Sequence, residues 1–70
     1  MTIEEQIKRI ENLIEQYDEE SNPEDRMDYK QTALKEIESV RASLIKSALS
    51  KEEVDTIGES LNEFEEVFSY

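Results

Sequence analysis

The side chains of this chain that could carry chemistry are almost all carboxylates. Its 70 residues include 19 Asp and Glu, 8 Lys and Arg, and no His or Cys. Without His and Cys, the chain lacks the common zinc ligands, a thiol nucleophile and the usual proton carrier near neutral pH. The pairs Glu63/Glu66 and Asp25/Asp28 would work as general acid and base only where their surroundings made the two carboxyls differ, and an exposed helix face does not do so. The sequence therefore predicts a protein that is not an enzyme.

Metal, phosphate and nucleic-acid sites are not expected either. Gly58 is the only glycine, so the chain has neither a glycine-rich phosphate loop nor the glycine spacing of a helix–loop–helix calcium site. The formal net charge of −11 disfavours direct binding to nucleic acid or to an anionic membrane, because both need clustered Lys and Arg. The same charge favours a protein partner with a basic surface. No cofactor is expected.

The first residues carry no recognisable targeting signal. Residues 1–5 show neither the basic start and apolar run of a signal peptide nor the beginning of a membrane span. We therefore expect a cytoplasmic protein.

A first helix is predicted over residues 3–19. Thr2 and Glu5 have the spacing of a capping box, in which the hydroxyl accepts a hydrogen bond from a free backbone N–H. Asn22 and Pro23 indicate that this helix has ended and that another begins. The apolar residues between these signals recur every three or four positions and share one stripe of the helix: Ile3, Ile7, Ile10, Leu13, Ile14 and Tyr17.

Two further helices are predicted over residues 23–48 and 51–69. Ser50 and Glu53 form a second capping box, and Leu49 and Val54 occupy the two positions of a hydrophobic staple across it. Gly58 inside the third helix costs about 0.5–1 kcal/mol relative to Ala, so we expect it to permit close packing or local flexibility. The apolar stripe of the third helix consists of Val54, Ile57, Leu61, Phe64, Val67 and Phe68.

The short connections between the helices predict one domain over residues 1–70, an all-α, up-down-up three-helix bundle. The alternative is an antiparallel helical homodimer or four-helix assembly built on the same stripes. Tyr17, Tyr29 and Tyr70 are expected at the edge of the core. The expected core consists of the first and third stripes without Leu13 and Val67, together with Leu34, Ile37, Val40 and Leu44 of the second helix.

Acidic residues are concentrated in the first and third helices. Residues 1–20 hold 7 acidic and 2 basic residues and residues 50–70 hold 7 and 1, whereas residues 21–49 hold 5 of each. In an up-down-up bundle the first and third helices are parallel neighbours, so we expect the acidic helices together and the neutral helix apart. The candidate acidic face consists of Glu4, Glu11, Glu15 and Asp18 of the first helix with Glu52, Asp55, Glu59, Glu63 and Glu66 of the third.

Three interpretations of this acidic face are open. It is typical of a solvated surface that keeps a small protein soluble. Like charges four residues apart, such as Glu59 and Glu63, cost about 0.2–0.5 kcal/mol, which favours a use for the charge. That use would be docking on a basic surface of a protein partner, as a regulator or inhibitor. A narrower form is imitation of nucleic acid, which would block a DNA- or RNA-binding protein.

The second helix offers a candidate apolar association strip of Met27, Tyr29, Leu34 and Ile45. The apolar positions of this helix, Ala33 among them, spread over an arc of about 160°, too wide for two shorter helices to cover fully. In the simpler interpretation Met27 and Ile45 cover the two ends of the bundle. In the other, the strip binds a partner or a second copy, which gives a structural homo-oligomer whose acidic residues serve only solubility.

Residues 50–70 resemble the helical tail of the short sporulation-regulating phosphatases of bacilli, in which a Ser-x-x-Leu-Asp motif acts on a response regulator. Gly58 stands at the position of the motif's Ser, and Asn62 stands at that of its Asp. Because both motif side chains differ, the resemblance implies no phosphatase activity for this chain. In size, acidity and lack of Cys and His, the chain also resembles small inhibitors encoded by phages and mobile elements.

Overall fold

Each helix begins at a side chain that accepts a hydrogen bond from a free backbone N–H. A computed structural model describes residues 2–69, which form an all-α three-helix bundle of α1 (Ile3–Glu19), α2 (Pro23–Lys46) and α3 (Lys51–Val67). The three capping oxygens are Thr2 Oγ1, Asn22 Oδ1 and Ser50 Oγ, which accept at 3.2, 3.0 and 3.3 Å. The helices therefore start where the sequence places them, and the predicted fold class is confirmed.

Two helices end two residues earlier than expected. After Lys46 the backbone of Ser47 is extended, and its hydroxyl donates to the carbonyl of Leu44 at 2.9 Å. This bond uses one of the carbonyls that a helix end leaves free. After Val67 the chain turns, and the backbone N–H of Phe68 donates to carbonyls of the last helical turn. A side chain and a turn therefore end helices that the apolar pattern alone would continue.

Contacts between helices define an up-down-up order. α2 runs antiparallel to α1 and to α3, so α1 and α3 are parallel. The contacts of Gln6 with Ser39 and of Arg26 with Tyr17 show that α1 and α2 are antiparallel. The starts of α1 and α3 line one groove and their ends meet where Tyr17 contacts Phe68, so α1 and α3 are parallel.

Fewer apolar residues are buried than the stripes of the three helices contain. Among residues 2–69 the buried apolar residues are Ile10, Ala33, Ile37, Val40, Leu61 and Phe68. Partly buried residues pack around the central cluster: Ile3, Ile14, Leu34, Leu44, Ile57 and Phe64. Ile7, Tyr17 and Val54, which we expected in the core, are only half-buried. Ala33 is fully buried, although it belongs to the apolar arc of α2 that we did not expect two shorter helices to cover fully.

The neutral helix does not lie apart from the acidic ones. α1 and α2 approach each other most closely, whereas α3 approaches both less closely. The distance between helix axes depends on the side chains in the contact. α3 presents the large residues Leu61 and Phe64 to the bundle, and Phe68 follows directly after its end. α1 and α3 are neighbours, but the expectation that α2 lies apart from them is wrong.

Gly58 is not a close-packing position. A Cβ placed on Gly58 would meet no atom of a neighbouring element within 4 Å. Its φ is not positive, so the backbone does not require glycine there. The expectation of close packing at Gly58 is therefore wrong.

An aromatic cluster closes one end of the bundle. The rings of Tyr17 and Phe68 meet edge to face, with centroids 5.1 Å apart and an interplanar angle of 79°. The guanidinium of Arg26 lies 4.3 Å from the centroid of the Tyr17 ring, and its Nε donates to the Tyr17 carbonyl at 3.1 Å. Tyr17 and Tyr29 are half-buried, whereas Tyr70 lies outside the described residues.

The length of α2 sets the long dimension of the molecule. Its 24 residues span about 36 Å at 1.5 Å per residue, close to the 40 Å long axis of the 40 × 23 × 15 Å bundle. Within the described residues, no helix combines the length and the apolar character needed to cross a membrane.

Candidate protein-interaction surface

All nine carboxylates of the acidic face are exposed. None of them lies within 4.0 Å of a Lys or Arg side-chain nitrogen of residues 2–69. Their negative charge is therefore not compensated by ion pairs within the described part of the chain.

The ion pairs that do form use acids outside the acidic face. Arg9 lies 3.6 Å from Glu36 and joins α1 to α2. Arg41 lies 2.7 Å from Glu65, and it also donates to Asn62 at 2.8 Å, which joins α2 to α3. Partly exposed pairs of this kind contribute about 0.2–1 kcal/mol each, so they add little to the stability of the bundle.

The two halves of the acidic face meet at a groove between the starts of α1 and α3, at the end opposite the aromatic cluster. This α1–α3 groove encloses about 680 Å³. It brings Glu4 of α1 and Glu52 of α3 together, and Glu53 joins them although it is not part of the predicted face. The other residues of its wall are Thr2, Ile3, Ile7, Leu49, Thr56 and Ile57.

A second groove, between α2 and α3, is bordered by another part of the acidic face. Asp55 and Glu59 lie on this α2–α3 groove of about 560 Å³, together with Arg41. The rest of its wall consists of Leu44, Ile45, Val54, Gly58 and Asn62. The acidic face therefore wraps around α3 and is not one flat patch, and Glu11, Glu15, Asp18, Glu63 and Glu66 border neither groove.

The candidate apolar strip of α2 is not continuous. Ile45 is 86% exposed and Met27 is 50% exposed, so the expectation that they cover the two ends of the bundle is wrong. Leu34 packs against the core and Tyr29 is half-buried. Met27 and Ile45 are eighteen positions apart, about 27 Å along the helix, and they do not form one patch.

The wall of the α1–α3 groove is the part of the surface that sequence reasoning missed. Ile3, Ile7 and Ile57 belong to stripes that predict core, and no pattern singles out Thr56. Leu49 was the available signal, because a large apolar residue in a connection must pack at the end of the bundle.

The carboxylate pairs that the sequence singles out lie on the surface of the bundle. Both carboxylate pairs, Glu63/Glu66 and Asp25/Asp28, are exposed, and no polar or charged residue is buried among residues 2–69. No group of three or more acidic side chains in that range is placed to hold a metal ion.

Comparisons with models of protein families, with curated proteins and with solved structures found no match for this chain.

Proposed function

We propose that this protein is a non-enzymatic interaction module, a regulator or inhibitor that docks the acidic face of α1 and α3 on a basic surface of a protein partner. The observation that supports the proposal is the set of nine exposed carboxylates without an ion-pair partner in residues 2–69. A face that served only solubility would gain about 0.2–0.5 kcal/mol from each Glu–Lys pair at helical spacing.

The negative charge of the acidic face attracts a basic partner before the two proteins touch. A net charge of −11 attracts a basic surface over a distance set by ionic strength, with a screening length of about 10 Å at 0.1 M salt and about 3 Å at 1 M. Binding through this face therefore weakens steeply as salt rises. Added salt should lower the association rate constant more than it raises the dissociation rate constant.

Charge reversal on the outer side of α3 tests the proposal. Glu59→Lys/Glu63→Lys reverses two acids of the face, and Asp28→Lys/Glu38→Lys makes the same change in net charge at exposed positions of α2. The tagged protein and both variants capture proteins from a cell lysate at about 50 mM salt, and about 500 mM salt releases them. We expect the first variant to lose the captured proteins and the second to retain them.

Equal capture by both variants would contradict docking through the acidic face. Loss of capture by both would mean that net charge alone, and not the placement of carboxylates, controls binding. Imitation of nucleic acid adds a further requirement, which is that DNA or RNA competes with this protein for the captured partner.

Self-association through α2 is the competing proposal, and mass in solution separates the two. Light scattering on a size-exclusion column should give a monomer of 8.2 kDa at both low and high salt. A dimer that persists at high salt would assign the exposed Ile45 and Met27 to a subunit interface and leave the acids to solubility.

A further inference from the structure

Burial is uneven along the bundle, and the α1–α3 groove lies at the poorly covered end. At the aromatic end Phe68 is 6% exposed, and in the middle Ile10 and Leu61 are fully buried. Toward the opposite end Val40 of α2 is buried, but the apolar side chains around it are not: Ile3, Ile7, Leu44, Leu49, Val54 and Ile57 are half-buried and Ile45 is exposed. This end therefore leaves apolar surface in contact with water.

We propose that the α1–α3 groove binds an amphipathic helix of the protein partner, with apolar side chains in the groove and Lys or Arg along its edges. This inference specifies the kind of partner in the proposed function. It rests on that function for the expectation that the partner is positively charged.

The wall of the groove has the chemistry that such a helix needs. Ile3, Ile7 and Ile57 form an apolar floor between α1 and α3. Glu4 on the α1 side and Glu52 on the α3 side place exposed carboxylates on opposite edges of that floor. A helix whose apolar stripe is flanked by cations matches both features at once, since its apolar residues bury the floor and its cations meet the carboxylates.

The size of the groove suits two turns of helix. From Glu52 to Ile57 the α3 wall covers about 8 Å of helix axis, and Leu49 extends the floor beyond the start of α3. Apolar anchors at positions i, i+3 or i+4, and i+7 of a bound helix span about 10.5 Å.

Two other occupants fit less well. A second copy of this chain would bring another net charge of −11 to an edge already formed by Glu4 and Glu52. A small ligand would need fixed polar groups to orient it, and no polar side chain is buried among residues 2–69.

A pair of synthetic peptides and a pair of matched variants test this assignment. One peptide of about 14 Leu and Lys residues carries Leu at helical spacing, and the other has the same composition with the Leu positions scattered. Thr56→Lys places a cation on the groove wall, and Thr32→Lys makes the same substitution at an exposed position of α2. Binding is followed by fluorescence anisotropy at about 50 mM salt.

We expect the amphipathic peptide to bind the parent protein and Thr32→Lys about equally. Thr56→Lys should bind it at least about tenfold more weakly, because a like charge then faces the peptide's cations. The scattered peptide should bind the parent at least about tenfold more weakly than the amphipathic one, since it presents no apolar face. Amide chemical shifts should change most at Ile3, Ile7 and Ile57.

The outcomes separate this inference from the proposed function. If both peptides bind all three proteins equally, the groove assignment is wrong while charge-driven docking stands. If neither peptide binds at low salt, both proposals fail. Shift changes centred on Ile45 and Gly58 would overturn the assignment by moving the site to the α2–α3 groove.

If circular dichroism shows that Thr56→Lys has lost its helices, a second pair of variants tests the groove in its place. Glu4→Gln/Glu52→Gln neutralises the groove edges, and Glu63→Gln/Glu66→Gln removes the same charge elsewhere on the acidic face. Only the first variant should bind the amphipathic peptide much more weakly than the parent protein does. Equal weakening by both would overturn the groove assignment.

Discussion

Gly58 lies inside α3 beside open space, so a methyl group there is expected to stabilise the protein. Gly58→Ala should raise the free energy of unfolding by about 0.5–1 kcal/mol, because glycine loses more backbone freedom on folding than Ala does. Urea denaturation measures the change. The exposed Ala42 of α2 gives the reverse control, since Ala42→Gly should lower the free energy of unfolding by a similar amount. A loss of stability in Gly58→Ala would show that α3 packs more closely there.

Among residues 2–69, Phe68 is the one buried side chain that follows the end of α3. Phe68→Ala should lower the free energy of unfolding by about 3 kcal/mol, because it leaves a cavity beside Tyr17 and removes the edge-to-face contact. The adjacent Val67 is 36% exposed, and Val67→Ala should cost less than about 1 kcal/mol. Both changes are measured by urea denaturation, and equal small losses would mean that the end of α3 is not docked on α1.

At the scale of the element, the start of α3 depends on one hydroxyl. Ser50 Oγ accepts from the backbone N–H of Glu53 and donates to the carboxylate of the same residue, both at 3.3 Å. Ser50→Ala should cost about 1 kcal/mol and lower Tm by about 4–8 °C, as measured by thermal circular dichroism. Ser21→Ala, in the exposed α1–α2 connection, should stay within about 0.5 kcal/mol of the parent. A Ser50 variant as stable as the Ser21 variant would contradict the capping role.

Helix starts and helix ends differ in how well sequence predicts them. Thr2, Asn22 and Ser50 act on N–H groups two or three residues away, so their spacing in the chain is sufficient evidence. The end of α2 depends on Ser47 adopting an extended backbone, and apolar periodicity carries no signal for that choice. The sequence therefore predicts capping hydrogen bonds at helix starts, but it does not predict where the backbone leaves the helical conformation.

At the scale of the whole molecule, self-repulsion should make stability depend on salt. Nineteen acids oppose 8 bases, and only two ion pairs form among residues 2–69. Raising NaCl from about 20 to about 500 mM should increase the free energy of unfolding by about 1 kcal/mol, because screening relieves repulsion in the compact state. Urea denaturation at each salt concentration measures this change.

The control for the salt prediction is the variant Asp28→Lys/Glu38→Lys, whose net charge is smaller. Its stability should respond less to NaCl than that of the parent. A parent protein whose stability falls with salt would mean that the ion pairs of Arg9 and Arg41 outweigh the repulsion.

The sequence by itself determined the helices, the bundle they form and the excess of acid on α1 and α3. Capping bonds and apolar stripes depend on residues within about four positions of one another, so spacing along the chain is enough to predict them. The exposure of each carboxylate in the acidic face also followed from its position opposite or beside a stripe.

Only the tertiary structure decided which stripe residues are buried, which helices approach closely and where the grooves open. Ile7 and Ile10 belong to the same stripe, yet Ile10 is buried and Ile7 lines the α1–α3 groove. Glu52 and Asp55 belong to the same acidic face, yet they border different grooves. These differences depend on the side chains that the other two helices present and on the distances between the helix axes, and spacing within one helix contains neither.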